Sequence, residues 1–207
     1  MRHQKTKPVA YRRKRESRTN YAKRLRLLES QKPRLVVRMS NQSIRAQVVT
    51  FTPSGDRVVA AVDPVALRKL GWGFSCKNLP AAYLMGALAA QAALAKGYKD
   101  AIFDTGLVTP LAGGRLFAFL QGAIDAGLNI PHGEKAIFPS PERLRGQHIA
   151  TYGTQSSGKT AAAPQFAQYL KTGLRPESLP EQWEALCKKL GVSPRQPAKK
   201  SEKSTKN

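Results

Sequence analysis

From residue 35 onward, apolar and polar positions alternate in short runs separated by turn residues. Leu35, Val36, Val37, Arg38 and Met39 form a first strand pattern. Ile44, Ala46, Val48 and Phe51 form a second, with Arg45 and Gln47 on its other face. Pro53-Ser54-Gly55-Asp56 supplies a tight turn, and residues 57–62 form a third strand. Three strands joined by short links predict an antiparallel meander. With Arg34 and Arg38 on the first strand and Arg45 on the second, one sheet face is expected to be basic and open.

The period then changes to that of helices. Asp63 and Pro64 are a cap and a first-turn residue for a short helix to Leu70, broken by Gly71-Trp72-Gly73. Asn78 caps a long alanine-rich helix over 79–96, closed by Gly97. Residues 101–103 read as a buried fourth strand. Leu116, Phe117, Leu120, Ala123, Ile124 and Gly127 share one face of a second long helix. A loop at Asn129-Ile130-Pro131-His132-Gly133 follows, then a short helix over 142–151. The order β-β-β-α-β-α predicts an α/β sandwich around a mixed sheet.

Charge adds what hydropathy leaves out. The 207 residues carry a formal net charge of +22. The first 34 hold 13 Lys and Arg against two acids. Tyr11, Arg12, Arg13, Lys14, Arg15, Arg18, Tyr21, Lys23, Arg24, Arg26, Lys32 and Arg34 fall within 11–34. Such a run repels itself unless it meets a polyanion, where each cation that reaches a phosphate releases counterions. Asn20 can cap a short helix over 20–28, with Tyr21, Leu25 and Leu28 at helical spacing. Tyr11 and Tyr21 can stack on bases or pack. The chain therefore divides into a basic arm (1–33), an α/β core (34–152) and a C-terminal extension (153–207). In the extension, 154–158 read as a linker, 164–171 and 180–190 as short helices, and 193–207 as a basic tail.

Several chemistries are weighed and set aside. Residues 153–160 fit the phosphate-loop pattern G-x-x-x-x-G-K-[ST], but the segment before is polar and Pro164 follows closely. Nucleotide binding there stands as the alternative reading. Asp104-Thr105-Gly106 matches one aspartic-protease triplet, but that mechanism needs two carboxylates. A two-metal site from Asp63, Asp104, Asp125 and Glu134 finds no support in their spacing. Cys76 and Cys187 form no close pair, and His3, His132 and His148 are scattered, so no metal or cofactor is expected. Residues 79–95 fall short of a membrane span, and no secretory leader is read at the start.

Four stretches carry a family likeness: 11–28 (YRRKRESRTNYAKRLRLL), 32–38 (KPRLVVR), 78–86 (NLPAAYLMG) and 117–133 (FAFLQGAIDAGLNIPHG), extended by 143–150. Over about residues 5–152 the chain resembles the archaeal and eukaryotic form of large-subunit ribosomal protein eighteen. The resemblance implies a ribonuclease-H-like body without a nuclease site. It implies a non-enzymatic, cytoplasmic constituent of the large ribosomal subunit. Its place would be the central protuberance, bound to 5S rRNA and large-subunit rRNA beside other ribosomal proteins such as the 5S-binding protein five. The arm cations with Arg34, Arg38 and Arg45 would then meet RNA. The His132 loop would either touch the large rRNA or cap its helix.

Overall fold

The computed structural model describes residues 9–133, 137–157 and 164–194. Glu134, the Gly158-Lys159-Thr160 end of the phosphate-loop match and the tail from residue 195 lie outside the described residues. Two arm helices, α1 (Arg12–Arg15) and α2 (Tyr21–Glu29), precede the strands β1 (Arg34–Met39), β2 (Ile44–Thr52) and β3 (Gly55–Val62). Helices α3 (Pro64–Lys69) and α4 (Leu79–Leu94) lead to β4 (Ile102–Asp104) and α5 (Arg115–Asp125). The chain then runs through α6 (Pro141–Arg145), α7 (Gln147–Ser157), α8 (Ala167–Lys171) and α9 (Leu179–Lys189).

The sheet order is β3-β2-β1-β4. β1 pairs antiparallel with β2, placing Leu35 opposite Val48 and Val37 opposite Ala46. These four side chains are buried and form the sheet's inner face. β3 joins β2 antiparallel, with an irregularity at Val48/Val49 that leaves both valines buried. β4 runs parallel to β1, Leu35 opposite Phe103, through the crossover that contains α3 and α4. The mixed α/β sheet follows the alternation read from the sequence. β4 itself is half-buried at Ile102 and Phe103, while the fully buried residue, Ala101, lies just before it.

α4 is the central element. Asn78 Oδ1 accepts the Ala81 N–H at 2.9 Å, and Pro80 occupies the first turn. The helix is buried on nearly every side, because the sheet lies on one side and α5 and α9 cover others. α5 approaches α4 at two glycines. A Cβ on Gly86 would lie 2.0 Å from the Phe119 carbonyl oxygen, and one on Gly122 would lie 2.0 Å from that of Tyr83. Backbone therefore meets backbone at both points. Tyr83 also donates to Asp125 Oδ2 at 2.9 Å across this pair.

α9 seals another side of α4. Leu179, Trp183, Leu186 and Cys187 are buried, and the Trp183 ring sits 5.4 Å from Tyr83. Gln91 Nε2 donates to Leu190 O at 2.7 Å. Gln182 accepts from Gly73 N–H and donates to Gly71 O, which ties α9 to the turn after α3.

Three expectations require correction. The helix expected over 142–151 is two helices, α6 and α7, because Gly146 adopts φ +82° and its missing Cβ makes room for Leu179. The linker expected from residue 154 is helical through Ser157, as part of α7. Gly153 lies where a Cβ would come within 2.8 Å of Pro176, so here glycine permits packing instead of flexibility. Asp63 makes no side-chain cap for α3; its carboxylate faces Arg45 Nε at 3.5 Å.

Candidate RNA interface

The arm folds back across the outer face of the sheet. Asn20 caps α2 by accepting the Lys23 N–H at 3.0 Å. Leu25 is 61% exposed, while Lys23 and Arg24 are partly covered together with Tyr21, Leu27 and Leu28. Lys23 Nζ donates to Thr105 Oγ1 at 3.0 Å and to Gly106 O at 2.8 Å. Arg24 Nη2 donates to both Asp56 oxygens, at 3.0 and 2.9 Å.

Asp56 and Asp104 are the counterions of this contact. Arg34 Nη2 lies 2.7 Å from Asp56, and Arg34 Nη1 lies 3.2 Å from Asp104. Arg38 Nη1 donates to Asp104 O and Val37 O, at 3.0 and 2.8 Å. Asp104 Oδ1 also accepts the Gly106 N–H at 2.8 Å, with Gly106 at φ +65°. The Asp-Thr-Gly triplet is thus a strand-ending turn that anchors the arm. The expected open basic face is corrected at Arg34: the residue is 4% exposed and spent on two internal carboxylates. Arg38 and Arg45 remain exposed, and Lys32 lies 3.6 Å from Asp100.

Beyond this clip the arm faces outward. Tyr11, Arg12, Arg13, Lys14, Arg15, Arg18 and Arg26 are exposed. Arg12 and Arg18 share Glu16 at 3.2 and 3.3 Å, solvated pairs of little energetic weight. Arg13 Nε donates to Thr19 Oγ1 at 2.9 Å. The Tyr11 ring packs 5.2 Å from Tyr21. His132 is exposed in the loop after α5, its Nδ1 2.8 Å from Ile130 O and its ring edge-on to Phe138.

Three titratable side chains are shifted by their surroundings. Burial, followed by nearby Glu184, pushes the Cys187 thiol up to about 12. Burial and Asp125 push the Tyr83 hydroxyl well above its ordinary range. Burial, then the charge of Arg143, lowers the pKa of His148. Among the described residues, no three His, Cys, Asp or Glu side chains are gathered to hold a metal ion. No described helix is long and apolar enough to cross a membrane. A phosphate loop requires amides that point freely into a bend, yet residues 153–157 belong to α7.

Residues 5–102 match the model of a family described as ribosomal large subunit proteins 60S L5 and 50S L18. The match spans a little under half of the chain, and over that stretch the chain is similar to these large-subunit ribosomal proteins. That likeness supports a structural, rRNA-binding role in the large ribosomal subunit. The matched stretch includes most of the arm, the three-strand meander, α3 and α4. Asp56 and Thr105, which hold the arm, are residues that the sequence reading did not select. Isolated acids opposite a strongly basic segment were the available signal.

Proposed function

We propose that this protein is a structural constituent of the large ribosomal subunit, which binds 5S rRNA and helps anchor it to large-subunit rRNA in the central protuberance, within the cytoplasmic ribosome. The observation that carries the reading is the division of labour in the arm. Lys23, Arg24 and Arg34 hold the arm to the sheet, while Arg12, Arg13, Lys14, Arg15, Arg18 and Arg26 stay exposed, Arg13 and Arg18 at the cleft under the arm. A clipped arm presents its outward cations in a set arrangement, which lowers the ordering cost of docking on an RNA backbone. Arg38, Arg45 and Lys32 extend the surface, Tyr11 and Tyr21 offer ring faces to bases or sugars, and His132 approaches the large rRNA.

The division into arm, α/β core and extension belongs to this reading, as does a place beside the 5S-binding protein five. The strand order, with β4 parallel to β1 in an otherwise antiparallel sheet, supports a ribonuclease-H-like body. The mechanism is scaffolding without catalysis.

A gel-shift titration with 5S rRNA, competed by tRNA at two salt concentrations, tests the proposal. Binding should survive the competitor and fall steeply with salt. Joint reversal of Arg12, Arg13 and Lys14 to Glu should weaken it and flatten the log–log salt slope by about 2–3. An unchanged affinity and slope would remove the arm from the mechanism.

A further inference from the structure

A groove at the amino end of α4 lies apart from the arm. It encloses about 790 Å³ and is bordered by α7 and α8. Tyr152, Phe166 and Tyr169 supply its aromatic faces, and Lys77, Arg115 and His148 its basic groups. Its described lining contains no carboxylate. The rings are arranged in series: Tyr152 lies 5.8 Å from Phe166, which stacks on Tyr169 at 6.1 Å and 27°. Tyr169 is fixed from behind, since its hydroxyl accepts the Ser75 N–H at 3.1 Å and its ring meets Phe74 edge-on. Tyr152 is 43% exposed.

One polar atom beneath the groove lacks a partner. Asn78 Nδ2 is buried and has no hydrogen-bond partner among the described residues, although Asn78 Oδ1 is used in capping α4. Arg115 donates to Lys77 O at 3.2 Å, which brings the two cations to one rim. Two exposed cations and a row of rings suit an anionic ligand with a flat face. The chain's own ends do not fit, because residues 1–8 and 195–207 are themselves basic.

The groove is also continuous with the arm surface. Arg38 borders both the cleft under the arm and the hollow of the β1–β2 hairpin. Asn41 borders both that hollow and the groove. We propose that the groove is a second RNA contact, which takes an unpaired nucleotide with its base against Tyr152 and Phe166 and its phosphate at Lys77 and Arg115. The proposal rests on the RNA-binding reading above for the class of ligand, and on this groove alone for the site.

The test uses the full chain carrying the Arg12, Arg13 and Lys14 to Glu reversals, so that the arm does not dominate. The probe is a fluorescent oligouridylate of about ten nucleotides containing 5-iodouridine. Irradiation should crosslink the probe to Tyr152 or Phe166. In the same background, Tyr152→Ala should weaken anisotropy-measured binding by about fivefold or more without lowering the melting temperature. Lys77→Glu, a second exposed variant, should weaken it independently. Crosslinks confined to other segments, or unchanged affinity in a folded Tyr152→Ala chain, would overturn the groove. Equal displacement of the probe by an oligoglutamate of matching charge would reduce the site to a charged surface and overturn base recognition. If the groove binds this probe while the arm-intact protein ignores 5S rRNA, the 5S reading fails and the groove stands.

Discussion

Replacing Gly86 with alanine adds one methyl group where the structure has no space. The new carbon would stand 2.0 Å from the Phe119 carbonyl oxygen, 2.9 Å from its carbon and 3.1 Å from the Ala123 nitrogen. Ordinary C···O contacts begin at about 3.3 Å. The obstacle is backbone on both sides, so no rotamer change relieves it, and α4 and α5 must part by roughly 1 Å. A gap of about 0.5–1 Å already forfeits about a quarter to a half of the dispersion energy of each contact along the seam. Overpacking of a core typically costs about 1–3 kcal/mol, and alanine's better helix propensity returns about 1. Because two long helices are displaced, the cost lies at the upper end of that range and a net loss of about 2 kcal/mol is expected. For a chain of this size that lowers the melting temperature by about 4–8 °C. Urea unfolding followed by circular dichroism measures the effect as a lower midpoint. Gly133→Ala, at a position with nothing within 4 Å, is the control and should shift stability by no more than about 0.5 kcal/mol. Gly122→Ala should resemble Gly86→Ala. The double variant should lose less than the sum, since helices already parted accept the second methyl more easily. A Gly86→Ala midpoint equal to that of the control would refute the close-contact reasoning.

Asp104→Ala removes one of the two carboxylates from the buried Arg34 and should cost about 3 kcal/mol in thermal or urea unfolding, at the low end for a broken buried pair because Asp56 remains; a neutral result would show that the cluster does not hold the arm. The pKa of His148 lies below 6.5 in the folded chain, so the unfolded chain takes up its proton first as pH falls. Stability should therefore decline through pH 6.5 and level off below the folded value, and His148→Gln should remove that component from melting curves taken between about pH 7.5 and 5. With its thiol pushed up to about 12 and its side chain buried, Cys187 should resist iodoacetamide at about pH 8 until denaturant is added. Rapid native labelling at Cys187, read by mass spectrometry, would contradict that.

Local signals were legible in the sequence and partnerships were not. Asn20 and Asn78 each cap the helix expected of them, because capping depends on a residue three positions away. The strand alternation located the sheet for the same reason. Arg34 was misread as open because its partner Asp104 lies 70 residues ahead, and spacing says nothing about that encounter. Tyr21, Leu25 and Leu28 at helical spacing located α2, but the spacing did not tell that Leu25 is exposed and that Lys23 and Arg24 bond to the sheet side. Residues 154–158 resembled a linker by composition, yet α7 runs through Ser157, and Gly153 within it packs against Pro176. The helix over 180–190 was visible, but its seat on Tyr83 was not.

That seat imposes an order on synthesis. Gln91 and Leu190, which bond across α4 and α9, are separated by 99 residues. At about 5–20 residues per second a ribosome needs about 5–20 s to make the intervening chain. Throughout that interval α4 emerges without the helix that covers Tyr83, and the basic arm is already outside the exit tunnel. The nascent protein thus shows a sticky apolar wall and a polycationic lead segment at once, a combination that invites premature capture by nucleic acid or by other unfinished chains. A chaperone acting on this protein would have its greatest effect in that window, before α9 closes over α4.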